Sequence, residues 1–224
     1  MTASYAITID GPGASGKNTV GLLLAQRLGY RFIDTGAMYR ALTWLALQQG
    51  LNFENGDELV RLAEATPLRV LPSTQDNPRG GLYADGTDLT PYLHLPDVDA
   101  KVSVLSRVPG VRAVMVSLQR QMAAEGSVVM VGRDIGTVVL PDAQVKVYLD
   151  ASAEERARRR FQELRAGGVD VALDAVLADL RQRDALDQGR ETSPLRPAPD
   201  ACIMNTEGMT PAQVVARILE RLPR

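Results

Sequence analysis

The sequence predicts an α/β fold with a central parallel sheet flanked by helices, and three observations carry that reading. Residues 5–10, Tyr-Ala-Ile-Thr-Ile-Asp, are short and β-branched and run straight into Gly11-Pro12-Gly13, as a buried strand ending in a tight loop does. Residues 19–28 are rich in leucine and alanine and stop at Gly29, residues 30–34 read as a second strand, and residues 37–49 read as a helix closed by Gly50. Strand, helix, strand, helix in such quick succession fits parallel strands joined by crossovers. The rhythm then returns. Apolar runs at 127–131 and 145–149 are followed by Ser152-Ala153-Glu154-Glu155, a capping-box pattern that opens a helix. A last strand at 201–204 precedes Thr210-Pro211-Ala212-Gln213, a cap with proline at the first helical position.

Residues 67–95 break the rhythm. They hold Pro67, Pro72, Pro78, Pro91, the pair Gly80-Gly81, and an Asp85-Gly86 turn between Tyr83 and Leu89. This reads as small strands and hairpins. It is expected to be an insertion, about 64–103, within a single domain of 224 residues.

Composition excludes several classes of function. Hydrophobic residues make up 45% and charged residues 23%, and the formal net charge is −2, so no sequence-wide basic field points to nucleic acid. No apolar stretch approaches the ~20 residues that span a bilayer, and the first ten residues lack the basic, apolar layout of a secretory signal. Cys202 is the sole cysteine and lies in an apolar run, which reads as a buried structural thiol in a reducing compartment. The expectation is a cytoplasmic monomer without nucleic-acid or membrane partners. His94, the sole histidine, reads as a surface residue of the insert, and Met38 and Trp44 read as core.

Gly11-Pro12-Gly13-Ala14-Ser15-Gly16-Lys17 fits the first seven positions of a phosphate-binding loop, and it lies between a predicted strand and a predicted helix. Glycines let the backbone curl so that its N–H groups point at phosphate oxygens. The helix that follows adds its positive end. Lys17 supplies a mobile cation to the β and γ phosphates of a nucleoside triphosphate. The pattern wants a hydroxyl directly after the lysine, and this chain has Asn18 and then Thr19. Thr19 is therefore the candidate for Mg²⁺, directly or through water.

Asp34-Thr35-Gly36-Ala37-Met38-Tyr39-Arg40 follows the second strand, and strand ends on the carboxyl side are where open α/β sheets bind ligands. Arg40 could grip a phosphate bidentately there, with Thr35 adding a donor, or it could be an ordinary surface arginine. Gly132-Arg133-Asp134 follows a third strand. Its charges await either a charged ligand or an internal ion pair. Arg156, Arg158, Arg159, Arg160 and Arg165 precede Gly167-Gly168, and Arg181, Arg183, Asp184, Asp187, Arg190 and Arg196 follow. This reads as two helices on a glycine hinge, partly a solvated face and partly a lid over polyphosphate at about 156–172. Glu154 and Glu155 are spaced to pair with Arg158 and Arg159, and Arg183, Asp187 and Arg190 recur on one helical face.

These residues closely resemble the bacterial cytidylate kinase family of P-loop nucleoside monophosphate kinases. The stretches that carry the likeness are Ile9-Asp10-Gly11-Pro12 with Gly16-Lys17, residues 34–40, residues 132–139, Pro141-Asp142-Ala143 and Leu149-Asp150-Ala151-Ser152. They span nearly the whole chain. The resemblance implies a P-loop kinase core with a small α/β substrate-domain insert and an arginine-rich lid. It implies a transferase of pyrimidine nucleotide metabolism, moving the γ-phosphate of ATP to CMP or dCMP with Mg²⁺. It implies ATP on residues 11–19 and the acceptor phosphate on Thr35, Arg40 and Arg133. Cytosine would fall to Ser103, Arg112 and Asp134, and the nucleoside and phosphates to Arg183, Asp187 and Arg190. Arg159 resembles a lid arginine, so Lys17, Arg133, Arg159, Arg183 and Arg190 form the expected catalytic set. Two positions depart from the family pattern: Asn18 stands where a small residue is usual, and Val131 where an acid precedes Gly132. Thymidylate, adenylate and shikimate kinases are rival readings without matching acceptor motifs. A P-loop switch protein is a rival from another class.

Overall fold

The computed structural model describes residues 5–71 and 81–222. Five parallel strands form the main sheet: β1 (Ala6–Asp10), β2 (Arg31–Asp34), β6 (Val128–Gly132), β7 (Val145–Asp150) and β8 (Cys202–Asn205), in the spatial order β2-β6-β1-β7-β8. Strands in such a sheet are covered on both faces, so they read as unbroken apolar runs. Every residue of β6 is buried. Asp10 is level with Gly132 and with Tyr148, and Asp34 is level with Val131. The carboxyl ends of the central strands therefore open onto one rim.

Successive residues of a strand face opposite sides, and β6 shows it directly. Val128 and Met130 face a core with α2 (Thr35–Gln48), α3 (Gly56–Ala65) and α5 (Pro109–Ala124), including Met38, Leu42, Leu59, Val111 and Met115. Val129 and Val131 face α1 (Lys17–Leu28) and α8 (Pro211–Leu219), including Val20, Leu24, Val214 and Ile218. At α8 the capping box is complete: Thr210 and Gln213 satisfy each other's backbone, with Pro211 in the first turn.

The first box is only half made. Ser152 Oγ accepts from Glu155 N at the start of α6 (Ala153–Ala166), but Ser152 N donates to Glu207. Glu155 turns its carboxylate outward instead, to Arg158 and Arg159. Glu154, expected to pair with Arg158, pairs with Arg181 on α7 (Leu173–Gln188). Helices α6 and α7 form a hairpin around Gly167-Gly168, with a small core of Ala157, Val176 and Leu180 that reaches Ala14 in the loop after β1. Cys202 is half-buried, not buried, because β8 is the edge strand.

Residues between α3 and α5 build a three-stranded antiparallel sheet of β3 (Leu68–Leu71), β4 (Gly81–Ala84) and β5 (Thr87–Asp88), then α4 (Pro96–Leu105). Asp85 at φ 48° and Gly86 at φ 79° make the expected hairpin turn. Pro72, Pro78 and Gly80 lie outside the described residues. The helices α3, α4 and α5 are additions to what the sequence showed. Met38 is fully buried, and Trp44 sits at the margin, stacked on Tyr92 at 4.5 Å. His94 is exposed.

Candidate active site

The loop joining β1 to α1 is built for close approach. A Cβ on Gly11 would lie 2.2 Å from the Leu149 carbonyl oxygen of the neighbouring strand, so only glycine fits. Gly16, left-handed at φ 90°, is the N-cap of α1 and has no side chain to cap it. The first N–H groups of α1 therefore point into the loop with the helix's positive end behind them. Lys17, in the first turn, is buried and its Nζ donates to Pro12 O at 2.9 Å. Burial, and next the Arg133 charge, hold its pKa well below the usual ammonium value. Ser15 Oγ is buried with no partner among the described residues. The irregular Asn18 links two helices. Its Nδ2 donates to Asp34 Oδ2 at 2.5 Å, while Asp34 Oδ1 caps α2 through Ala37 N. One carboxamide thus ties the start of α1 to the start of α2. Thr19 is exposed on α1.

Beside this loop stands a cluster of arginines. Gly132 ends β6 where a Cβ would sit 2.6 Å from Thr35 Oγ1, and Thr35 itself donates to Val131 O at 2.9 Å. Arg133 then reaches back over the loop. Its Nη1 donates to Gly11 O at 3.0 Å and its Nε to Asp187 Oδ2 at 2.7 Å. Asp187, on the last turn of α7, also receives Arg190, whose Nη2 donates to Ser106 Oγ at 3.0 Å. Arg190 was expected on the α7 face with Arg183 and Asp187, but the helix ends at Gln188 and Gly189 caps it. The guanidinium returns from outside the helix. Burial pushes the Asp187 carboxyl up, yet Arg133, Arg190 and Arg183 outweigh it and leave the pKa below the usual range. Arg183 Nε is buried without a hydrogen-bond partner among the described residues. Burial, with Arg133 and Arg40 close by, lowers its pKa to about 10.

A second pair lies deeper, between α5 and the end of β6. Arg112 Nη2 donates to Asp134 Oδ2, with both side chains under a tenth exposed, and Arg112 Nη1 donates to Ser106 O at 3.2 Å. Arg133 and Asp134 thus diverge to different partners. The Arg112 guanidinium sits over the Tyr39 ring at 5.6 Å. Ser103 is buried one turn away, its carbonyl accepting from Ser106 Oγ. Arg112 Nε, Arg190 Nε and Tyr39 Oη are buried without a hydrogen-bond partner among the described residues, so this corner holds unused donors.

The α6 arginines differ in what they hold. Arg156 is buried, paired with Asp184 and donating to Gly13 O, which makes it a brace for the loop. Arg159 binds Glu155 and both oxygens of Thr206, with Nη1 3.5 Å from Ser15 O. Arg40 donates to Asp99 on α4 and to Leu93 O at 3.4 Å. Ser106, Thr206 and Asp99 are candidate site residues that sequence reasoning missed. Each matters through a partner distant in sequence, so no local pattern marks it.

Carboxylates near the rim are already engaged. Asp10 accepts from Ile135 N and Gly136 N, both at 2.8 Å, fastening the turn after β6, and Asp34 is held by Asn18 and Ala37. Among the described residues no three His, Cys, Asp or Glu side chains are grouped so as to hold a metal ion. The Thr19 hydroxyl, exposed in the first turn of α1, is an oxygen donor of the kind a hard cation takes.

The chain matches the family model described as cytidylate kinase over residues 7–224. The cytidylate kinase of Roseiflexus castenholzii is 48% identical, aligned over 99% of this chain and 95% of its own length. That of Geobacillus thermodenitrificans is 47% identical, over 98% and 97%. That of Carboxydothermus hydrogenoformans is 44% identical, over 97% of each. With a match this long, and with the loop and arginine cluster in place, the chain belongs to the cytidylate kinase family.

Proposed function

We propose that this enzyme transfers the γ-phosphoryl group of ATP to the phosphate of CMP or dCMP, giving ADP and CDP or dCDP. The observation that carries the reading is Arg133, whose one guanidinium joins the phosphate loop at Gly11 O to the arginine cluster at Asp187. Donor and acceptor sites thus share a wall, as phosphoryl transfer requires.

ATP lies with its phosphates on residues 11–19, and Lys17 supports the β and γ groups. Bound with ATP, Mg²⁺ would neutralise charge on the phosphates, and the Thr19 hydroxyl would be the chain's candidate ligand for its shell. The acceptor phosphate lies on Thr35, Arg40 and Arg133. One of its oxygens attacks the γ-phosphorus as the bond to the β–γ bridging oxygen breaks, and ADP leaves. That phosphate is already anionic at neutral pH, so no general base is needed. Arg183, charged and without a hydrogen bond at Nε, is available to the transferring group, with Arg159 and Arg190 completing the cation shell. Residues 156–172 act as a lid that excludes water, and residues 64–103 act as the acceptor-side insert.

Cytosine is read by Ser103, Arg112 and Asp134. The Asp134 carboxylate accepts from the exocyclic amine, and Arg112 and Ser103 serve the ring carbonyl and N3. Uracil lacks that amine and leaves the carboxylate's second oxygen without a donor, which costs affinity. The test is product identification. Mixing enzyme, Mg²⁺, ATP and CMP and following ³¹P resonances should show CDP and ADP rising together. ATP loss with CMP unconsumed overturns the proposal.

A further inference from the structure

One carboxylate occupies the place where three elements of the site meet. Asp99 sits in the first turn of α4, which begins at Pro96. One oxygen, Oδ1, receives Arg40 Nη1 from α2, and the other, Oδ2, receives Arg160 Nη2 from α6 at 3.3 Å. Asp99 is 28% exposed and its partners are 12% and 30% exposed, so the triad lies at the rim, open to exchange with solvent. Arg183 on α7 also feels the Asp99 charge. Two oxygens of one anion, shared between guanidinium groups on separate elements, is how arginines hold a phosphate.

We propose that Asp99 is an internal stand-in for the acceptor's phosphate, neutralising Arg40 and tying α4 to α6 until the acceptor displaces it. This rests on the reading of Arg40 as a ligand of that phosphate. An acceptor phosphate on Arg40 places two negative groups side by side, so α4 and its carboxylate must yield, and the α4–α6 tie breaks with it. Asp99 is therefore a positioning residue: it sets what the acceptor must displace, and it touches neither nucleobase nor ATP. The contact also gives the acceptor a route to the lid helix, because loss of Asp99 frees Arg160.

The experiment is calorimetric binding of CMP and of cytidine, which lacks the phosphate, to wild type, Asp99→Asn, Arg40→Ala and the double variant. The expected result is CMP binding about 2–5-fold tighter in Asp99→Asn, cytidine binding unchanged, and the gain abolished in the Arg40→Ala background. Unchanged or weaker CMP binding in Asp99→Asn, or an equal gain for cytidine, overturns the proposal. Arg40→Ala alone separates the two levels of argument. If it leaves CMP affinity intact, the reading of Arg40 as phosphate ligand fails. If it weakens CMP while Asp99→Asn has no effect, only the stand-in role fails. A thermal melt of each variant verifies folding, and Asp99→Ser replaces Asp99→Asn if the latter does not fold.

Discussion

The Arg133 guanidinium donates to the Asp187 carboxylate at 2.7 Å, and that carboxylate is 2% exposed. Its other oxygen holds Arg190, so Asp187 is the anion around which Arg133, Arg183 and Arg190 are packed. Removing one partner of a buried pair leaves charge uncompensated, at a cost of about 3–5 kcal/mol. Asp187→Ala should lose stability on that scale in urea unfolding. A loss near zero would show the arginines to be solvated without it.

Arg183 should show the opposite pattern. Its guanidinium is buried among like charges with Nε unbonded, so Arg183→Gln should leave the melting temperature unchanged or raise it. Turnover should fall on the order of 10²–10³-fold, the usual cost of one preorganised charge-stabilising donor. A variant that is both unstable and active contradicts the assignment.

Lys17→Ala should abolish turnover while leaving the fold intact. The ammonium is buried on a single carbonyl, Pro12 O, and burial already disfavours its charge. Circular dichroism melts report the second half of that statement and a coupled ADP assay the first. Wild-type rates in this variant would remove the phosphate loop from the mechanism.

Asp10 gives stability a particular pH dependence. Burial pushes its carboxyl up to about 6 from an ordinary 3.8, against the pull of the Gly136 and Ile135 N–H groups. A raised carboxyl contributes stability that is fully present below pH 3.8 and is lost as pH rises through 6. The loss attributable to this group between pH 4 and 7 is up to about 3 kcal/mol. Asp10→Asn should flatten that part of the profile in urea unfolding, although the variant weakens one backbone contact at every pH. Asp187, held below its ordinary value, acts in the other direction: its contribution is present above pH 3.8 and lost as pH falls below it.

Much of the fold was legible because its signals are local. The strand into Gly11-Pro12-Gly13, the N-cap Thr210 with Gln213, and the Asp85-Gly86 turn each declare themselves within a few residues. The helix at Pro109–Ala124 escaped notice despite proline in its first turn, because its buried face carries Arg112 and Gln119 beside Val111 and Met115 and blurs the apolar period. Spacing alone also misplaced Arg190: it follows the i, i+4, i+7 rule, but Gly189 ends the helix first. The arginines of α6 and α7 were visible as a cluster, yet nothing local separates the brace Arg156 from Arg160. Their roles follow from Asp184 and Asp99, partners that only the folded chain brings near.

The Arg112–Asp134 pair should select cytosine, whose nucleotide then accepts phosphate from ATP. The most direct test of this selection is kcat/KM measured at fixed ATP and Mg²⁺ over CMP, dCMP, UMP and AMP. ATP consumption should depend on the acceptor, with CMP or dCMP preferred over UMP by about 10-fold or more, and that preference should collapse in Asp134→Asn. ATP consumption indifferent to the acceptor, or equal rates with CMP and AMP, would contradict it.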